Sequence, residues 1–284
     1  MRKLKSFILI HGAWHDHHSW DFVVPLLEEV GHYAIGIELP GAGELAQSPA
    51  SYFENPVDLD AFAVQASPNA FVTQEERNEA VIDLVRECYA KEGEKVILVG
   101  HSLGGITVSA VAEMVPNMVS MAVYLSALLL PPQVSAFQML SRKSMSERKT
   151  PKLYVGDGAK TGAMRINPKS TDPSYLDLVK QTFYGDLNDE EFRFALSTLF
   201  PDEPIQVATV PSPITQKRFG SIPRHYIHCR NDRAYPYSGQ CDMVRLVDEA
   251  MGNKTVVHML ESSHSPFFSQ PKALAKILDE IAQS

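Results

Sequence analysis

Short apolar runs recur along the chain at residues 7–10, 34–39, 96–99, 121–125, 225–229 and 255–260. Runs of that length, rich in Val and Ile, read as buried strands, and helical patterns fill most of the gaps between them. Such alternation predicts an α/β fold with a mostly parallel central sheet and helices on both faces. A first helix is expected to open near Ser19 and end before Gly31. Thr73-Gln74-Glu75-Glu76 is a capping box, opening a helix whose apolar face holds Ala80, Val81, Leu84, Val85 and Cys88. A small-residue helix is expected over residues 106–114, and a last helix from about Pro271 to Ala282. Between 131 and 221 the alternation breaks, with a basic, polar loop near 142–152 and helical segments near 175–183 and 189–200. The pattern therefore divides the chain into a core of residues 1–130 and 221–284, and a cap of residues 131–220 over the strands' C-terminal ends. The long loop at 42–72 is a further candidate for pocket walls.

Composition narrows the partners. A chain of 284 residues that is 44% hydrophobic buries one large core. Thirty-four acidic against 26 basic residues give a net charge of −8 and no basic footprint for nucleic acid or anionic lipid. No stretch approaches a membrane span. Cys88, Cys229 and Cys241 form no closed disulfide framework and have no metal-ligand spacing. Met1-Arg2-Lys3-Leu4-Lys5 resembles the start of a signal peptide, but the apolar run that follows is short and is needed as a strand. These features place the expected compartment in the cytoplasm.

The chemistry is concentrated at Gly100-His101-Ser102-Leu103-Gly104-Gly105, entered directly from the apolar run at 96–99. Small residues on both sides of Ser102 let a strand turn sharply into a helix and present one hydroxyl at the apex. A free serine hydroxyl is too weakly acidic to attack a carbonyl, so a base must come from elsewhere. His264, on the loop after the last apolar run, is the candidate base. Asp232 lies at the exit of the preceding run and can orient that imidazole. Asp242 and Asp248 fall inside a helical pattern, and Glu261 is too close in sequence to reach round the ring. The N–H of Leu103 and that of Ala13, on the loop after residues 7–10, would hold an oxyanion. Gly12, Gly100, His101 and Gly104 would shape these turns, and Trp14, Leu128, Phe137 and Phe183 are candidate pocket residues. His15, His17 and His18 suit a helix start better than a metal site. Residues 156–162 lack the spacing of a phosphate loop and read as a cap loop.

His11-Gly12-Ala13-Trp14-His15, Leu39-Pro40-Gly41, the elbow at Gly100–Gly105, Phe183-Tyr184-Gly185-Asp186, Asp232 and Ser263-His264-Ser265-Pro266 together resemble an α/β-hydrolase. The closer resemblance is to the group of plant methyl esterases, salicylate-binding esterases, hydroxynitrile lyases and bacterial pyrethroid-type carboxylesterases. It implies a capped hydrophobic pocket, a Ser-His-Asp mechanism with no cofactor or metal, a small-molecule ester as substrate, and frequent homodimers. Lyases of the group place threonine where Gly12 stands and lysine where Ser265 stands, so ester hydrolysis is the expected reaction. A ligand-binding protein with vestigial activity and a lyase on the same triad are the rival readings.

Overall fold

The computed structural model describes residues 4–284; Met1–Lys3, part of the signal-like start, lie outside the described residues. Six strands, β1 (Ser6–Ile10), β2 (Tyr33–Ile37), β3 (Val96–His101), β4 (Val119–Leu125), β7 (Arg224–Cys229) and β8 (Val256–Leu260), form one parallel sheet in the order β2-β1-β3-β4-β7-β8. The central strands β1, β3 and β7 are buried along their whole length, and for β1 and β3 this leaves nearly unbroken apolar runs. Between β4 and β7, strands β5 (Ala163–Arg165) and β6 (Asp202–Pro204) form a separate antiparallel pair. Three-residue strands carry no readable period, and the sequence pattern missed both.

The helices are α1 (Val24–Glu29), α2 (Leu59–Val64), α3 (Gln74–Glu92), α4 (Gly104–Met114), α5 (Ala136–Leu140), α6 (Gly158–Thr161), α7 (Pro173–Phe183), α8 (Asp189–Ser197), α9 (Tyr237–Met251), α10 (Pro266–Ser269) and α11 (Pro271–Gln283). Two apolar layers flank the sheet. One gathers side chains of α3, α4, α9 and the segment between β4 and β7, and the other those of α1 and α11 with Trp20. The expected first helix is split into a 3-10 turn at His17–Trp20 and α1. Pro25 accounts for the break, because it has no N–H to donate into a preceding turn and is tolerated only at a helix start. The capping box at Thr73 is formed as the sequence requires. Among the described residues no helix is long and apolar enough to cross a membrane.

The loop at 42–72 serves the inserted segment rather than the cavity beside Ser102. The Arg165 guanidinium donates to the Phe62 and Gln65 carbonyls, and Ser67 N–H donates to the Thr161 carbonyl. Arg165 also pairs with Asp202 across the β5–β6 pair, both side chains fully buried.

Candidate active site

Parallel strands deliver the site at their C-terminal ends. β3 runs into Ser102, whose φ of +52° is a left-handed conformation that strains any residue but glycine. The surroundings over-determine it. Ser102 N–H donates to the Leu125 carbonyl, and its own carbonyl accepts from Gly105 and Leu128 N–H. Gly104 is required by space, since a Cβ there would stand 2.5 Å from the His11 carbonyl oxygen. Gly12 is equally constrained, as its Cβ would come within 2.7 Å of Ser102 Cβ.

The loops after β7 and β8 bring Asp232 and His264 together, with His264 Nδ1 2.8 Å from Asp232 Oδ2. Both side chains are buried. A proton on Nδ1 shared with the carboxylate leaves Nε2 as the acceptor. Asp232 is held from every side: Oδ1 accepts from the N–H groups of Ala234 and Tyr235, and Oδ2 from the Ser126 hydroxyl and Gln240 Nε2. Ser126 has a positive φ at the end of β4, so the sheet spends backbone strain to aim that hydroxyl. His101 supports the His264 loop, its Nε2 lying 2.9 Å from the His264 carbonyl oxygen and its ring 4.6 Å from the His264 ring. Burial and the neighbouring imidazoles hold His101 well below the usual histidine range, so it is neutral and its Nε2–H donates.

Among the described residues no acceptor takes the N–H of Ala13 or Leu103, and both residues line one narrow cavity with Ser102. The cavity volume is about 30 Å³. Tyr235 and Phe183 share its wall and also pack on the His264 ring, at 5.3 and 5.9 Å between centroids. Of the four pocket candidates, Trp14 and Phe183 line this cavity. Phe137 does not: it is 37% exposed, because Ala136 and Met139 take the inward positions of α5. Leu128 does not either; its backbone wraps the elbow, its N–H on the Ser102 carbonyl and its carbonyl crowding Gly105.

Sequence reading missed the residues that fix the loop after β1. Trp14 has a φ of +61°. Its N–H faces Glu203 Oε2 at 3.4 Å, its carbonyl accepts from Phe200 N–H at 2.9 Å, and its indole N–H donates to the Met164 carbonyl at 2.7 Å. All three partners come from the segment between β4 and β7. Glu203 is fully buried on Arg77 of α3, which also donates to the Pro40 carbonyl. An arginine on the inward face of α3 was the available signal. His15, fully buried and held down to about 4 chiefly by desolvation, is neutral. Its Nδ1–H donates to the Ala13 carbonyl, so Nε2 accepts from the Tyr184 hydroxyl, each at 2.8 Å. His17 and His18 pair with Glu38 and Asp21.

Asp186, in the turn between α7 and α8, accepts from the Ser263 N–H and hydroxyl next to His264. The inserted segment therefore grips both loops that carry the candidate chemistry.

A profile of the alpha/beta hydrolase family matches residues 7–277. "Putative methylesterase 11, chloroplastic" of Arabidopsis thaliana is 28% identical across 98% of this chain, which spans 64% of that protein's length. Methylesterase 2 of the same plant is 26% identical over 100% of this chain and 98% of its own. The crystal structure of a novel pyrethroid hydrolase from Sphingobium faniae JZ-2 superimposes with a TM-score of 0.76 at 25% identity, covering 99% of this chain and 98% of that one.

Proposed function

This chain belongs to the alpha/beta hydrolase family, and we propose that it hydrolyses a small, largely apolar carboxylic ester through Ser102, His264 and Asp232. The observation that carries the reading is the buried His264–Asp232 pair, whose aromatic neighbours share a cavity wall with Ser102 and with two backbone N–H groups that are unengaged among the described residues. A relative that is a methylesterase and a structural neighbour that is a pyrethroid hydrolase support the reaction class. Trp14, Leu103 and Phe183 supply an apolar wall, and the narrow space favours a small acyl or alcohol group.

In this reading His264 Nε2 takes the proton of Ser102 as its oxygen attacks the ester carbonyl. The Ala13 and Leu103 N–H groups receive the charge on the carbonyl oxygen, and removing one such donor costs about a hundredfold in rate. The protonated imidazole returns its proton to the departing alkoxide, leaving Ser102 acylated. Water, deprotonated by the same nitrogen, then releases the acid. Asp232 keeps the ring in one orientation and stabilises its charged form. Ser102→Ala is expected to reduce hydrolysis of p-nitrophenyl acetate by at least about a thousandfold. Retention of full activity by that variant would overturn the assignment.

A further inference from the structure

The cavity beside Ser102 holds a charge that the apolar wall does not explain. Arg148 lines it, half-buried, and among the described residues its guanidinium forms no ion pair; its one hydrogen bond is from Nε to the Leu140 carbonyl at 3.2 Å. A guanidinium facing a largely apolar cavity loses hydration, and without a counter-charge nothing offsets that loss. Two further donors in the same wall are poorly served. Among the described residues the Thr150 hydroxyl is buried with no hydrogen-bond partner, and the Tyr154 hydroxyl reaches only the Met164 sulfur, at 3.8 Å. Thioether sulfur is a weak acceptor. The Arg148 charge acts on Tyr154 and on Tyr235, so the cation sits within electrostatic reach of both phenols. The two Arg148 Nη groups, left without an acceptor among the described residues, and the two hydroxyls match the oxygens of a carboxylate, which a planar guanidinium binds in two-pronged fashion.

Resting on the esterase reading above and adding one charged group to its otherwise apolar ester, we propose that the substrate also bears a free carboxylate, bound by Arg148 with Thr150 and Tyr154 while Ser102 attacks the ester carbonyl. The carboxylate belongs either to the acyl part, as in a half-ester of a dicarboxylic acid, or to the alcohol part, as in an acylated hydroxy acid.

Steady-state kinetics with two matched pairs separates these sources: monomethyl glutarate against methyl pentanoate, and acetoxybutyrate against butyl acetate. One acidic member is expected to exceed its neutral counterpart in kcat/KM. Arg148→Met is expected to cut that ratio about tenfold to a hundredfold, the scale of a charge-assisted hydrogen bond, and Arg148→Lys to keep part of it. Independently of any variant, glutarate should inhibit the wild-type protein on butyl acetate where neutral glutaramide does not. Preference for the neutral ester in both pairs, a ratio unmoved by Arg148→Met, or equal inhibition by glutarate and glutaramide would overturn the proposal. Failure of the wild-type protein on all four esters, or turnover surviving Ser102→Ala, would instead mark the failure of the esterase reading.

Discussion

Individual side chains near Ser102 do more than the three that would react. Glu203 is the clearest case, since one carboxylate neutralises buried Arg77 and faces the N–H of Trp14, whose neighbour Ala13 presents the free N–H. Glu203→Gln is expected to lower kcat about tenfold with KM little changed, because the amide oxygen can still accept from Trp14 N–H and keep Trp14 in the cavity wall, while the lost charge loosens the loop that carries Ala13. It should also cost roughly 3 kcal/mol of stability by leaving Arg77 buried without its counter-charge. Stopped-time assays and urea denaturation check the two halves separately, and a normal kcat in the folded variant would mean that Phe200 and Met164 suffice. Ser102, Asp232 and His264 were legible in the sequence because glycine spacing and strand exits mark them. Glu203, Arg77, Ser126 and Arg148 were not, because their roles arise from partners 37 to 189 residues away or from the absence of a counter-charge.

Among elements, β1 and β3 were readable because burial on both faces leaves runs with hardly a polar residue, whereas the edge strands β2 and β8 are partly exposed and β7 carries Arg224, His225 and His228, so these three were legible from β-favouring residues set between helical patterns. β5 and β6 were not, since their pairing depends on the Arg165–Asp202 bridge rather than on any period. The turn between α7 and α8 shows how an element outside the sheet can act on the site. Asp186 holds Ser263 by two hydrogen bonds and so steadies the loop that ends in His264. Asp186→Ala should therefore reduce kcat severalfold to tenfold on any ester, with the acidic-to-neutral preference unaltered, because Asp186 does not touch the cavity. Parallel kcat/KM measurements on one matched pair test this, and a shifted preference with unchanged kcat would assign Asp186 to substrate selection.

At the scale of the whole molecule, the histidines set an acid limit. Desolvation holds His11 down to about 3 and His15 down to about 4, and it holds His101 well below its ordinary value. Unfolding exposes these rings and restores pKa values near 6.5, so between there and the folded values the unfolded chain binds more protons. Stability is thus full above about pH 6.5 and falls as pH drops, by roughly 2 kcal/mol each for His11 and His15 at pH 5. Asp16 and Glu38, raised by partial burial, act in the opposite sense but with smaller shifts. Urea midpoints at pH 7 and pH 5 measure the balance, and an unchanged midpoint would mean that the rings already meet water in the native state. The grip of the inserted segment on both loops has a last consequence, for engineering and for descent. Met164, Phe200, Glu203, Tyr184 and Asp186 tie the roof of the pocket to the two loops beneath it. Exchanging residues 131–220 for a foreign roof to broaden substrate range would cut those ties together, so the graft would need matching anchors of its own or would yield a scaffold that captures esters and leaves them intact.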